Sequence, residues 1–146
     1  IEIAKRMIRG ERNQEVMLED PEMVWEYLYP EIRSDTVEKV WVLCLDRKNK
    51  LIRAEAITSG TATGSLVHPR EVFRPAIRHG ATAIILAHNH PSGDPTPSSA
   101  DLRVTKKILE ASKVVDFEMH DHVILGEPEN CPKKLGYYSF SESGLI

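Results

Sequence analysis

Two histidines one residue apart, His88 and His90, are followed by a proline-stiffened stretch from Pro91 to Pro97, then Ser98, and two residues later Asp101. Imidazole and carboxylate are the side chains that bind borderline metal ions, and residues i and i+2 of an extended segment point the same way. His88 and His90 therefore project together at the end of an apolar run, with Asn89 turned to the other side. Two imidazoles so placed can hold one ion at about 2.0–2.1 Å each. Asp101 is available as a third ligand, and water would leave one position exchangeable, the pattern of a catalytic zinc rather than a closed structural one. A plainer reading stands beside this one. Ser98-x-x-Asp101 is also a capping box, found at many helix starts for stability alone, and a His-x-His pair can be no more than a polar loop.

The elements that must position these residues can be read from periodicity. "TAIILA", Thr82 to Ala87, is a short continuous apolar run, as expected of a strand buried on both faces. A helix beginning at Ser98 would carry Leu102, Ile108 and Leu109 on one stripe and run to about Ser112. Upstream, Val40–Leu45, a polar turn at Asp46–Lys50 and Leu51–Ile57 read as a hairpin. Pro69 opens a helix with Val72, Phe73, Ala76 and Ile77 on one face, stopped by Gly80. Downstream, "VVDFEM" and "HDHVILG" read as two strands or one long one, with His120 and His122 sharing a face, and "YYSFSESGLI" as an edge strand. Asp121 there is either a carboxylate orienting a ligand histidine or a satisfied polar residue at a strand start.

Residues 1–35 read as a helical N-terminal segment ahead of the domain at 36–146. Ile1, Ala4, Met7 and Ile8 recur at helical spacing, Gly10 to Asp20 is a polar connection, and Asp20-Pro21 is a good helix start facing Met23, Val24, Tyr27 and Leu28 to the core. Helices interleaved with hairpins indicate an α/β or α+β sandwich with a mixed sheet flanked by helices.

The composition narrows the function classes. With 146 residues the chain fits one domain, and no apolar run approaches the roughly 20 residues of a membrane span. The formal net charge is −3, and Lys106-Lys107 and Lys133-Lys134 are isolated pairs rather than a phosphate-binding strip, so nucleic acid is not an expected partner. Cys44 and Cys131 form no CxxC pair. Cys44 sits in an apolar run, which suits a reduced core thiol in a cytoplasmic protein. The chain begins with Ile and carries no signal-like stretch, as expected of a piece of a longer protein.

The spacing His-x-His, seven residues, Ser, two residues, Asp matches the JAMM signature of the JAB/MPN metalloproteases. "HNHPSGDPTPS" with "PREVF", "DHVILG" and the preceding "GT" resembles the RadC-like branch, once labelled as DNA repair proteins, from about Thr36 to the C-terminus. The resemblance implies a cytidine-deaminase-like sandwich, and a Zn²⁺ held by His88, His90 and Asp101. It also implies a peptide or protein substrate cut at a peptide or isopeptide bond, and a glutamate general base on an early strand. Glu38, just before "KVWVLCL", is the carry-over, with Glu71 as competitor. Ser98 would hydrogen-bond the oxyanion of the tetrahedral intermediate. Asn89 stands where the wider JAMM family has Ser or Thr. Two rivals accompany this reading: a non-catalytic MPN-type scaffold, and a DNA-repair-associated protein.

Overall fold

The computed structural model describes residues 15–60 and 67–146, so the expected helix over Ile1 to Ile8 lies outside the described residues. Asp20 caps the first helix, α1 (Pro21–Ile32), by accepting the Met23 N–H at 2.9 Å, with Pro21 preset at its first position. The hairpin follows as β1 (Glu38–Leu45) and β2 (Leu51–Gly60), and α2 spans Pro69–Arg78. Gly80, at φ 67, ends that helix in the left-handed region that glycine adopts without steric cost. Then come β3 (Ala83–Asn89), α3 (Ser99–Val114), β4 (Glu118–Leu125), a single 3-10 turn at Pro128–Asn130, and the short β5 (Tyr137–Ser139).

The five strands form one sheet in the order β2-β1-β3-β4-β5. It is mixed: β3 and β4 run parallel, joined by the α3 crossover, and the other pairs are antiparallel. Alternation along β1 explains the layering. Val40, Val42 and Cys44 face one core with Val72, Phe73 and Ala76 of α2 and Val104 and Ile108 of α3. Trp41, Leu43 and Leu45 face the other with Val24, Leu28 and Ile32 of α1. Helices cover both faces, and every residue of β3 is buried, as the unbroken apolar run expects. The architecture is the expected α+β sandwich with a mixed sheet. Cys44 is a fully buried free thiol, and burial pushes its pKa up to about 11.

Three local expectations are corrected. Leu102 does not face the core. It is 43% exposed, and the buried face of α3 is Asp101, Val104, Thr105, Ile108 and Ser112. Ile108 is buried and Leu109 packs against the core as expected, so the periodicity fails only at Leu102, in the first turns, where Asp101 and Thr105 take the inward positions. Ile77 is likewise exposed, in the last turn of α2. Val114 and Val115 end a helix rather than start a strand.

His120 and His122 do not share a face either. The β3–β4 register shifts between Ile84 and Ile85: Ile84 pairs with Met119 but Ile85 with Asp121, leaving His120 as the extra residue. A bulge breaks the period of two. Met119 and His122, three residues apart, therefore both turn toward α3, where Met119 joins the core and His122 meets Thr105.

Candidate metal centre

The site lies at the carboxyl end of β3, and the chain's path there follows from its partners. Backbone pairing between β1 and β3 ends at Val40 opposite His88. One step on, the His90 N–H donates to Leu125 O of β4 at 2.9 Å. The loop that follows turns at Gly93, whose φ is 89 and whose N–H donates back to His90 O. Gly93 O in turn accepts the Glu127 N–H at 2.8 Å, which fastens the loop to the segment after β4. Ser98 then caps α3: its hydroxyl accepts the Asp101 N–H at 3.0 Å, and the Asp101 carboxylate accepts the Ser98 N–H at 2.8 Å.

These constraints bring four ligating atoms together. His88 Nε2 and His90 Nε2 are 3.2 Å apart. Asp101 Oδ1 lies 3.2 Å from His88 Nε2, and Asp101 Oδ2 lies 3.1 Å from His90 Nε2. Glu38 Oε1 stands farther off, 3.9 Å from His88 Nε2, and ligand atoms of Glu38, His88 and His90 all fall within 4.8 Å of one another. Both carboxylates are therefore placed to complete a three-residue group with the histidines. Glu71 is not: it pairs with Arg74 at 3.1 Å on the surface of α2.

Hydrogen-bond chemistry decides where the imidazole protons sit. A backbone carbonyl only accepts. Thr105 Oγ1 is 2.8 Å from Asp101 O, so the threonine hydroxyl donates there and its oxygen is left to accept from His122 Nδ1 at 2.5 Å. His122 is fully buried, and burial together with the neighbouring His88 drives its pKa well below the ordinary histidine value, so it is neutral. With its proton on Nδ1, His122 Nε2 is an acceptor, and His88 Nδ1, 2.8 Å away, must donate to it. His90 Nδ1 is 2.9 Å from Asp94 O and must donate as well. In the neutral rings both Nε2 atoms then carry lone pairs, and they point at each other and at a carboxylate. Four lone-pair donors converge with no proton of their own to share. Such a group of lone pairs could hold a cation.

The carboxylates are tuned apart. Burial alone would raise Asp101, but hydrogen bonds from His88 and His90 and from the Ser98 N–H hold it well below the usual carboxylate range. Burial raises Glu38, and the charges of His88 and His90 only partly oppose it. For His90, burial lowers the pKa, yet the Asp101 carboxylate and the Asp94 carbonyl outweigh it, for a net rise.

His122 and Thr105 are the residues that sequence reasoning missed. The signal was present in part, because Thr105 follows Asp101 by four residues on one helix face. The orienting role weighed for Asp121 falls instead to His122. Asp121 accepts from Ser139 Oγ at 2.6 Å, from Ser141 N at 2.9 Å and from its neighbour's N–H, tying β4 to the segment through β5.

A mixed sheet between helical layers, with this constellation at the carboxyl end of its central strand, defines a JAB-type domain. The chain belongs to the RadC-like JAB domain family, whose family model matches residues 18–145. It is 46% identical over 127 residues to a UPF0758 protein of Symbiobacterium thermophilum, covering 87% of this chain and 51% of that one. A UPF0758 protein of Chlorobium phaeovibrioides is 44% identical over 145 residues, covering 99% and 61% respectively. One of Methanosarcina barkeri is 36% identical over 145 residues, covering 99% and 60%. The chain thus spans 51% to 61% of the length of these relatives. Among the described residues no helix is long and apolar enough to cross a membrane.

Proposed function

We propose that this domain is a zinc-dependent hydrolase of JAMM type that cuts peptide or isopeptide bonds. The observation that carries the reading is the convergence of two imidazole lone pairs and the Asp101 carboxylate on one point. His88, His90 and Asp101 would hold the ion. Asp101 is the better third ligand because it is nearer and stays ionised, as a ligand must. Glu38 suits a different role, since a raised pKa and a position beside the ligands fit a general base. Bound there, zinc would lower the pKa of a water from about 15.7 toward roughly 7 and polarise a carbonyl.

The chain's own residues then divide the proton traffic. Glu38 would accept the water's proton on its carboxylate and return it to the leaving amine. Ser98 Oγ accepts from the Asp101 N–H, and its hydroxyl proton has no acceptor among the described residues, so it can donate to a developing oxyanion. Asp94 O and the His122–Thr105 pair keep both Nδ1 protons in place, so the ligating nitrogens stay available.

Metal analysis of protein prepared without chelator, paired with a peptide-library cleavage screen, tests the reading. The expected result is close to one zinc per chain, and almost none when both His88→Ala and His90→Ala are introduced. Equal zinc in the two proteins would end it.

A further inference from the structure

The residue between the two histidines does something its neighbours do not. Asn89 is 2% exposed, yet its amide is fully used: Oδ1 accepts the Lys39 N–H at 2.7 Å and Nδ2 donates to Val37 O at 3.1 Å. Those two backbone groups flank Glu38. An acceptor for residue i+1 and a donor to residue i−1 are what a neighbouring parallel strand would supply to residue i. A strand cannot supply them here, because β3 leaves β1 after His88 and His90 spends its own N–H on Leu125 of β4. The side chain of Asn89 thus replaces one rung of the ladder at the point where Glu38 sits.

We infer that Asn89 is a positioning residue for Glu38, a strut that fixes the distance between the histidine pair and the carboxylate of the base. The inference rests on the reading of Glu38 as base. Asn89 lies between His88 and His90 in sequence, so any movement of the ligand pair is transmitted to residues 37–39 through two hydrogen bonds. Without them, among the described residues, the first residues of β1 would keep backbone pairing with β2 alone, through the Glu38–Gly60 and Lys39–Ser59 pairs. A serine at position 89 is too short to reach both backbone groups. An aspartate has the right shape and still accepts from Lys39, but it has no proton for Val37 O.

The test uses the whole chain loaded with zinc or, for spectroscopy, with cobalt(II). Asn89→Ser should keep close to one zinc per chain while Lys39 amide exchange rises about fivefold to tenfold, with the amide of Leu43, farther along β1, unchanged. Asn89→Asp should fold, bind zinc and give an intermediate exchange rate at Lys39. In the cobalt protein, Asn89→Ser and Glu38→Gln should each alter the visible spectrum. The double variant should match Glu38→Gln, because a strut acts only through what it holds. Loss of zinc in both Asn89 variants would make Asn89 a support of the ligands and overturn the inference. Unchanged Lys39 exchange, or spectral effects that add in the double variant, would overturn it too. Failure of wild type to take up zinc or cobalt would instead remove the metal reading beneath it.

Discussion

Asp101 Oδ2 accepts the Ser98 N–H at 2.8 Å while lying 3.1 Å from His90 Nε2. The capping box and the candidate ligand set are therefore one structure, and the two readings of Ser98-x-x-Asp101 do not compete. The helix start fixes the carboxylate's direction, and the carboxylate completes the cluster. The two roles separate by substitution. Asp101→Asn retains an acceptor for the Ser98 N–H but loses the charge, so it should melt within a few degrees of wild type and bind zinc far more weakly. Asp101→Ala should lose both, with an added stability cost of about 1 kcal/mol for the cap. Thermal melts and chelator competition on the metal-free and loaded proteins check this. Equal zinc affinity for Asp101→Asn and wild type would exclude the carboxylate as a ligand.

Glu38 and Asp101 are both carboxylates near His88, and the proposed function gives them different roles, base and ligand. Glu38→Gln should keep the zinc and abolish hydrolysis of any substrate found in the library screen. Glu71→Gln, on the surface of α2, should change neither. Zinc content and turnover measured on the same preparations decide it, and loss of metal from Glu38→Gln would move Glu38 into the ligand set.

His122 holds the His88 proton on Nδ1 and stacks on Phe140 with ring centroids 4.7 Å apart and planes 6° from parallel. His122→Phe keeps an aromatic ring beside Phe140 but leaves the His88 Nδ1–H without its acceptor. Zinc affinity should fall by about 10–100-fold, the usual cost of removing a ligand's orienting partner. A change under threefold in chelator competition would show that His88 does not need it.

The raised pKa of His90 gives the metal-free site a pH dependence whose sign is fixed. A histidine whose folded pKa exceeds its unfolded value adds stability that is fully present below the unfolded pKa. That stability is lost as pH rises through the folded pKa. Zinc competes for the same nitrogen, so its apparent affinity should strengthen with pH by about tenfold per unit per displaced proton until His90 has titrated, then level off. Calorimetric titrations in buffers of different ionisation enthalpy should detect proton release below that pKa and less above it. Uptake of protons on zinc binding would contradict the assignment.

What was legible in the sequence were residues whose placement depends on short-range geometry. His88 and His90 follow the two-residue period of an extended chain, and Ser98 and Asp101 follow the first turn of a helix. Glu38 came from family resemblance, since nothing local aims its side chain. His122 was hidden by one inserted residue at His120, which reverses the alternation of β4 and shows in a pairing register rather than in composition. Leu102 misled because a helix that serves a site buries Asp101 and Thr105, and hydrophobic periodicity cannot register polar residues turned inward. The Asn89 contacts span about fifty positions of sequence and leave no local trace.

The loop from Pro91 to Pro97 packs closely against the backbone that follows β4. Gly126, just after β4, lies so close to it that a Cβ there would stand 2.2 Å from Gly93 O and 3.0 Å from Pro95 Cδ. The first of these is a backbone atom that already accepts the Glu127 N–H, so it cannot swing aside as a flexible side chain would. Gly126→Ala must therefore push the loop off the end of β4, at a cost of about 1–3 kcal/mol for overpacking. The same displacement moves the chain that links His90 to Asp101, so zinc affinity should fall in step with stability. Gly144→Ala gives the contrast: an added Cβ there meets nothing within 4 Å, so only the strain of its φ of 77 enters, outside the chain that links His90 to Asp101. It should lower the melting temperature modestly and leave zinc affinity unchanged. Melting and chelator competition on the two variants test the point, and a Gly126→Ala protein that binds zinc like wild type would show that the loop does not set the ligand spacing.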